Sequence, residues 1–588
     1  MRSAGLAILI ALCVSPIFLA GLGRTGLSDP DEGRNAEVGR EMLARGDWIT
    51  PRINDAVYLD KPPVFFWTVG ASLALLGVNE TAARLPSALS ALAGVALAFW
   101  FAERHFNRRT AVIAAVILAL SPLYLVFARL VIFDMMLLVC TTTAVLAAYE
   151  AVESDRPARG AAALFFAACG VGTITKGPVA LAVPLLVVVA WALLTRRPRR
   201  LGRLHWGTGA ILYLVIVAPW ALAVERLHPG FLNYALLGEN IKRMTADPFD
   251  TARPFHFYAK VLLPGLFPWM VLLLAQGIAS LGRRLKRGAT PATAAGAATA
   301  TAARATRFLA LWLGVLVVFF SSITSKRPSY VLPCAIPVAI LAAQLIDRAS
   351  ARRADGTPEE GDALADRIAG AYAAALLCAL AGVGVLIAHR RFGSLRMTEA
   401  RRAELLPYLP HFLLAGAGLL LAAALLVALR RTARPGWFVA AAALPFLAFV
   451  PLARAGARQI ESLRSSRGAA LFLMERLRPD DVVVINEEYR PGMNFYLERP
   501  IYQVTRAGRI FTSNYIEANL ATMRQDPEFR LLSADGLRER LRDRSRTTWV
   551  MTPRKEYDDL ERLAGVPLLR QYEDAGVGLF TAAPAGGD

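Results

Sequence analysis

The sequence predicts a polytopic α-helical membrane protein that carries a small α/β domain after its last span. Three observations support this fold class. Apolar blocks long enough to cross a bilayer recur along most of the chain, arginine-rich short loops separate them, and the composition changes near residue 453. Hydrophobic residues make up 55% of the 588 residues and charged residues only 19%, whereas a soluble chain carries about 25% charged residues.

A transmembrane helix needs about 20 mostly apolar residues, and about thirteen blocks approach this length. They are 4–22, 83–102, 110–127, 133–151, 160–175, 178–195, 207–224, 264–282, 307–323, 329–346, 367–388, 411–429 and 437–453. We therefore expect a transmembrane domain over 1–453, which includes a polar juxtamembrane loop at 23–80.

The positive charges predict the orientation. The formal net charge is 66 − 46 = +20, and most of the arginines lie in alternate short loops such as 104–109, 196–200 and 430–434. Because Lys and Arg are enriched in cytoplasmic loops, these loops are placed inside, and loop 23–80 and the C-terminal region outside. The basic loop at 390–402 is an exception. The charge therefore indicates topology and contact with membrane lipids, not nucleic-acid binding.

Residues 454–588 have the composition of an ordinary soluble domain. An amphipathic helix is predicted over 458–477, buried strands over 482–485, 501–504 and 548–551, and a helix around 537–541. This alternation of strands and helices predicts a small α/β domain outside the membrane.

Ionisable residues gather at the predicted outer ends of the spans, where lipid would exclude isolated charges. The clusters are 29–34, 60–63, Arg129 with Asp134, 238–243 and 325–333. Each also has a structural interpretation. Asp31 suits a helix cap, Lys61 could reach the headgroups, and Asp134 could pair with Arg129. Segment 238–243 could be a solvated helix, and 325–333 a simple loop.

Taken together, these groups suit chemistry at a phosphate. Asp31, Glu32 and Asp134 are the candidate catalytic acids. Arginine and lysine bind phosphate oxygens and a tyrosine hydroxyl donates to them. The candidate phosphate-binding residues are Lys61, Arg84, Arg243, Lys326 and Tyr330. No glycine-rich nucleotide-binding loop stands in the right context, so the sequence favours a reaction on a lipid-linked phosphate.

A family resemblance is carried by an ordered set of short motifs. They are Pro30-Asp31-Glu32-Gly33-Arg34-Asn35-Ala36-Glu37, 41–48, 61–67, 83–87, Asp134, Thr175-Lys176-Gly177-Pro178, Glu239-Asn240-Ile241-Lys242-Arg243, 328–333 and 494–500. The chain resembles the aminoarabinose transferase family of bacterial inner membranes, within the protein-mannosyltransferase-like group of integral membrane glycosyltransferases. That resemblance implies a GT-C-type fold with an active site and a C-terminal domain that face the periplasm.

The resemblance also implies the reaction and its partners. The donor would be a sugar, 4-amino-4-deoxy-L-arabinose in the best-known members, carried on undecaprenyl phosphate. The acceptor would be a lipid A phosphate or another periplasmic group. Asp31 and Asp134 match the family's first-loop and second acids, and Lys61, Arg243 and Tyr330 match groups around the carrier phosphate.

Two questions stay open at this level. Some relatives hold a divalent metal ion with a glutamate where this chain has Asp60, and His256 is the other weak candidate ligand, so no cofactor is assigned. A related transferase with another sugar or a protein or glycan acceptor remains an alternative. A flippase or transporter would instead place polar groups at the bilayer midplane or on both faces, and a receptor-like protein would leave the outer ionisable groups without a role.

Overall fold

The computed structural model describes residues 2–154, 158–236, 252–287, 297–354, 461–506 and 510–584, together with positions 417, 421, 422, 424, 425, 428, 458 and 459. Over the first 354 positions, most of the described residues are helical. All six strands of the main sheet follow residue 481. The sheet thus lies within the predicted C-terminal region 454–588, and the predicted boundary near residue 453 lies outside the described residues.

The N-terminal part is a succession of helices joined by short turns. They are α1 Arg2–Leu19, α2 Asp31–Arg45, α3 Val64–Leu76, α4 Glu80–His105, α5 Arg108–Leu120, α6 Pro122–Phe127, α7 Asp134–Glu153, α8 Arg159–Lys176, α9 Val179–Leu194, α10 Trp206–Leu227, α11 Phe231–Asn233, α12 Phe257–Gly265, α13 Trp269–Arg287, α14 Ala297–Ser322 and α15 Ala335–Ala354. Shorter 3₁₀ turns cover Pro198–Leu204 and Pro328–Cys334.

Within the described ranges, five helical segments are long and apolar enough to cross a membrane. They lie at Glu80–His105, Asp134–Glu153, Trp206–Leu227, Ala300–Ser322 and Pro328–Arg348, and a pair of helices bent by 113° between Gly265 and Trp269 would make a sixth. These segments coincide with predicted spans. The predicted spans 367–388 and 437–453, and most of 411–429, lie outside the described residues, so the count of about thirteen stays a prediction.

Asparagine side chains begin two of the long helices. Asn79 accepts a hydrogen bond from the Ala82 amide before α4, and Asn107 accepts one from Thr110 before α5. An asparagine at this position satisfies a backbone N–H that has no partner within the helix. The predicted span at 110–127 is divided in two, because α5 ends before Ser121 and α6 starts at Pro122, which suits the first turn of a helix but not its interior.

The juxtamembrane loop and the C-terminal domain share one hydrophobic core. Helices α2 and α3 and the hairpin of β1 Arg52–Ile53 with β2 Ala56–Val57 lie in the loop. Phe65 and Phe66 of α3 are fully buried in the same cluster as Phe495 and Met551 of the C-terminal region. The loop is therefore a packed element, and it fixes the C-terminal domain against one end of the helical bundle.

The C-terminal domain is an α/β unit with a mixed sheet. Its strands are β3 Val482–Asn486, β4 Tyr502–Val504, β5 Leu531–Leu532, β6 Thr548–Pro553, β7 Leu568–Glu573 and β8 Val577–Ala582, in the order β5-β4-β3-β6-β8-β7. Its helices are α16 Arg467–Met474, α17 Gly492–Leu497, α18 Asn514–Ala518, α19 Leu520–Met523, α20 Ala534–Arg542 and α21 Tyr557–Ala564. Strands β5, β4, β3 and β6 are parallel to one another, β8 is antiparallel to β6, and β7 is antiparallel to β8. The three predicted strands and the helix near 537–541 are confirmed.

Candidate active site

A cavity of about 390 Å³ lies at the end of the bundle that faces the C-terminal domain. Most of its lining is apolar and comes from α7, α8, α9, α10 and α14. Its lining also contains four charged side chains and a tyrosine, namely Asp60, Lys61, Asp134, Lys176 and Tyr330, together with several serine and threonine hydroxyls. A cavity with an apolar body and two ammonium groups in its wall can hold an amphiphile with an anionic head.

Asp134 and Lys176 form an ion pair in this wall. Asp134 is the first residue of α7 and Lys176 the last of α8, and the two helices pack against each other. The charges at these ends agree with the helix dipoles. The Lys176 Nζ lies 2.5 Å from the Asp134 carboxylate and 5.3 Å from the centre of the Tyr330 ring. The pair therefore places a cation beside the tyrosine.

The predicted structural partner of Asp134 was wrong. The Arg129 guanidinium donates to the carbonyls of Ile17, Phe18 and Ala20, at 2.8–3.2 Å. These carbonyls lie at the C-terminal end of α1, where the helix leaves its last acceptors without backbone donors. Arg129 therefore caps a helix, and Lys176 takes the position beside Asp134.

Sequence reasoning did not select Lys176 as a site residue. Its signal was present, because it stands in the turn between predicted spans 160–175 and 178–195. That turn is on the same side of the membrane as the start of the span that carries Asp134. A lysine between two apolar spans is costly in lipid unless it is paired.

Asp60 and Lys61 join the cavity to the C-terminal domain. The Lys61 Nζ donates to the Asp60 carbonyl at 2.7 Å. The Asp60 carboxylate accepts hydrogen bonds from the Tyr234 hydroxyl at 2.8 Å and from the backbone amides of Asn514 and Tyr515 at 3.0 and 2.7 Å. The carboxylate therefore links Tyr234, which follows α11, to the start of α18.

The surroundings of Asp60 do not fit a metal ion. A divalent cation needs several lone-pair ligands, whereas three hydrogen-bond donors already face the Asp60 carboxylate. His256 is exposed at the start of α12 and does not line the cavity. Among the residues that the structure covers, no cluster of three or more histidine, cysteine or acidic residues could hold a metal.

Glu32 and Arg84 are placed in the protein core instead of the cavity. The guanidinium of Arg84 makes two hydrogen bonds of 2.9 Å to the Glu32 carboxylate and several to backbone oxygens of segment 22–26. The carboxylate also accepts from the amides of Ser28 and Val131 at 3.0 Å. Both side chains are 96% buried and satisfied. This geometry assigns them to loop architecture, against the predicted catalytic and phosphate-binding roles.

Lys326 is also held by the backbone. It is buried, and its Nζ donates to the carbonyls of Arg253 and Ile323. It does not line the cavity, although its neighbours Ser325 and Ser329 do. The predicted role in binding a phosphate is therefore not supported by its position, whereas Tyr330 of the same segment does reach the cavity wall.

Asp31 is not part of the cavity lining. Its side chain is 54% exposed and pairs with Arg34 at 2.5 Å. Burial raises the pKa of the Asp31 carboxyl, but the guanidinium groups of Arg34, Arg327 and Arg464 outweigh this effect and hold the pKa below its usual value. Asp31 is therefore ionised at neutral pH. The predicted phosphate ligand Arg243 lies outside the described residues.

Comparison with known sequences finds related proteins. Residues 60–222 match the family described as dolichyl-phosphate-mannose-protein mannosyltransferase. The undecaprenyl phosphate-alpha-4-amino-4-deoxy-L-arabinose arabinosyl transferase of Pectobacterium carotovorum is 35% identical over 354 residues, and that of Serratia proteamaculans is 32% identical over 341. The matches cover 59% and 57% of this chain and 59% and 58% of the relatives, so the chain matches less than two thirds of their length.

Solved structures extend the likeness over the whole chain. ArnT from Cupriavidus metallidurans bound to undecaprenyl phosphate superposes with a TM-score of 0.75, covers 99% of this chain and 98% of its own, and is 23% identical. Its apo state gives a TM-score of 0.72. The predicted polytopic GT-C fold with a C-terminal α/β domain is confirmed. The resemblance is confirmed with it: residues 60–222 match the mannosyltransferase family model, the relatives found by sequence are aminoarabinose transferases, and the whole chain shares the fold of ArnT from Cupriavidus metallidurans.

Proposed function

We propose that the chain is an integral membrane glycosyltransferase that takes a sugar from a polyprenyl phosphate carrier. The observation that carries this proposal is the cavity, whose lining is mostly apolar and includes Lys61, Lys176 and Tyr330. An isoprenoid chain suits the apolar wall, and a phosphate suits two ammonium groups and a hydroxyl. The names of the relatives point to undecaprenyl phosphate and 4-amino-4-deoxy-L-arabinose as the donor.

The reaction moves one glycosidic bond. An acceptor oxygen attacks the anomeric carbon, the bond from that carbon to the phosphate oxygen breaks, and its electron pair leaves with the carrier phosphate. Preorganised cations and hydrogen-bond donors stabilise this developing charge most effectively in a water-poor site. Lys61 and Tyr330 would supply that stabilisation, and Arg243 is proposed to join them.

Asp134 is proposed as a positioning residue for Lys176. Its carboxylate, 2.5 Å from Nζ, fixes the direction of a long and otherwise mobile side chain. Asp31 has a separate task because it is ionised and outside the cavity lining. A phosphate acceptor such as that of lipid A is itself ionised at neutral pH and needs little help from a base. We propose the periplasmic face of the bacterial inner membrane as the place of reaction.

A transfer assay tests the proposal. The purified full chain would be reconstituted with undecaprenyl phosphate-linked 4-amino-4-deoxy-L-arabinose and lipid A, and the lipids analysed by mass spectrometry. One added amino-pentose on lipid A is expected. Transfer from a polyprenyl phosphate hexose alone would redirect the sugar assignment, and no transfer from either donor would contradict the proposed activity.

Two variants test the role of the cavity wall. Lys61→Ala and Tyr330→Phe each remove one donor to the carrier phosphate. Since a hydrogen bond to a charged group contributes about 1.5–3 kcal/mol, the affinity for undecaprenyl phosphate should fall about 10- to 100-fold. Lys555→Ala is the matched control because Lys555 is exposed in the C-terminal domain. Unchanged affinity in Lys61→Ala would remove this residue from the phosphate site.

A further inference from the structure

Three arginines act electrostatically on Asp31, one from its own helix and two from distant parts of the sequence. Arg34 belongs to α2, Arg327 precedes the 3₁₀ turn Pro328–Cys334, and Arg464 belongs to the segment that leads into the C-terminal domain. The group stands outside the cavity that was assigned to the carrier phosphate.

Two observations place Arg464 near Asp31 and Arg327 near the cavity. The Asp29 amide donates to the Arg464 carbonyl at 2.9 Å, which places Arg464 beside the chain two residues before Asp31. Arg327 lies between Ser325 and Ser329, and both serines line the cavity. The lowered pKa of Asp31, to which all three arginines contribute, agrees with this proximity. Arg327 therefore lies next to the cavity lining, and Arg464 lies next to the start of α2.

The three arginines differ in what they already bind. Arg34 is engaged, because it pairs with Asp31 and donates to the Thr512 carbonyl at 3.2 Å. Arg327 and Arg464 have exposed side chains, and within the described ranges no salt bridge or side-chain hydrogen bond is formed by either. Two open guanidinium groups beside a reaction cavity can bind an anion bidentately.

We infer that Arg327 and Arg464 form a second anion site, which binds the phosphate monoester of the acceptor. This inference rests on the proposed function and names the acceptor subsite for it. The arrangement separates two phosphates of like charge. The carrier phosphate leaves within the cavity at Lys61 and Tyr330. The acceptor phosphate is held outside the cavity lining, at Arg327 and Arg464.

Asp31 then acts as a positioning residue. Its ion pair with Arg34 keeps that guanidinium in place, and its negative charge reduces the repulsion among three neighbouring cations. An ionised carboxylate cannot donate a hydrogen bond to a phosphate. The acceptor is therefore expected on the side of Arg327 and Arg464, with its nucleophilic oxygen directed toward the cavity.

Equilibrium binding in the absence of a sugar donor tests the site. The full chain would be placed in phosphatidylcholine nanodiscs and titrated with fluorescent lipid A, with the same lipid after removal of its phosphates, and with inorganic phosphate. The variants are Arg327→Gln, Arg464→Gln and the double variant. Arg524→Gln is the matched control, since Arg524 is exposed on the C-terminal domain and far along the chain from this group.

Each single variant should weaken binding of lipid A about tenfold, which corresponds to about 1.4 kcal/mol. The dephosphorylated lipid should bind weakly to every variant. Affinity for undecaprenyl phosphate should stay unchanged, and Arg524→Gln should behave as the parent chain. If inorganic phosphate displaces lipid A, the site recognises the phosphate alone. If it does not, the site recognises a phosphate that is anchored to the lipid. Both outcomes retain the anion site.

Three results would overturn the inference: unchanged lipid A binding in the double variant, equal loss of undecaprenyl phosphate binding, or equal binding of phosphatidylglycerol. The proposed function fails by a different result. If the chain binds lipid A through Arg327 and Arg464 but transfers no sugar, the anion site stands and the transferase assignment does not.

Discussion

Replacement of Arg84 by alanine should destabilise the protein strongly, because this change leaves a charge buried without its partner. Arg84 and Glu32 are both 96% buried and share two hydrogen bonds of 2.9 Å. Removal of one member of a buried ion pair costs about 3–5 kcal/mol. The free energy of unfolding of a typical folded domain is only about 5–15 kcal/mol, so this loss is a large part of the total.

The structure shows where this cost arises. Without Arg84, the Glu32 carboxylate keeps only the amides of Ser28 and Val131 as donors, and carbonyls of segment 22–26 lose their partner. Arg104→Ala is the control. The Arg104 side chain is 57% exposed and pairs with Glu150, and an exposed pair contributes about 0–1 kcal/mol.

Thermal unfolding in detergent, followed by tryptophan fluorescence, measures the difference. The midpoint of Arg84→Ala should fall well below that of Arg104→Ala, and transfer should decline only in proportion to the folded fraction. A variant that unfolds at the parent temperature but has lost transfer would refute the structural role and restore Arg84 as a substrate-binding residue.

Three further predictions follow from single contacts. Asp60→Ala removes the acceptor for Tyr234 and for the start of α18, so trypsin should cleave the C-terminal domain faster; equal cleavage rates would remove Asp60 from the domain contact. Asp134→Asn should weaken undecaprenyl phosphate binding less than Lys176→Ala does, since it leaves the cation in place, and the reverse order in a binding titration would contradict the positioning role. Burial raises the pKa of Asp29 from 3.8 to about 6. Because the folded state favours the protonated acid, the stability that Asp29 contributes should fall as the pH rises from 4 to 6. The variant Asp29→Asn should lose this part of the pH dependence of unfolding. A pH profile of Asp29→Asn that matches the parent chain would contradict this role of Asp29.

Hydropathy predicted the helical bundle and the C-terminal domain because both depend on local composition. A run of apolar residues is either long enough to cross a bilayer or not, and buried strands such as Val482–Asn486 are apolar throughout. The antiparallel pair β7 and β8 was not predicted. Strand Leu568–Glu573 carries Arg570 and Glu573 and lies at the edge of the sheet, so its sequence lacks the pattern of a buried strand.

The site was predicted only in part, because sequence neighbours need not share an environment. Asp31 and Glu32 are adjacent in the first turn of α2, where successive side chains point about 100° apart. One is exposed and the other buried against Arg84. Their common motif therefore suggested one role for two residues that the fold separates.

Long-range partners account for the other differences. The amides that satisfy Asp60 belong to Asn514 and Tyr515, more than 450 positions away, and no local pattern announces them. Lys61, Asp134 and Tyr330 do line one cavity, as their shared side of the membrane predicted. Topology thus brought the correct segments together, but packing determined which side chains in those segments face the cavity.

The central claim is that the cavity binds a polyprenyl phosphate with its phosphate at Lys61, Lys176 and Tyr330. Cryo-electron microscopy of the full chain in a nanodisc with undecaprenyl phosphate tests it most directly. The account predicts the phosphate within hydrogen-bond distance of Lys61, Lys176 and Tyr330, with the isoprenoid chain along the apolar wall. A phosphate bound elsewhere, with the cavity filled by side chains or ordinary phospholipid, would contradict it.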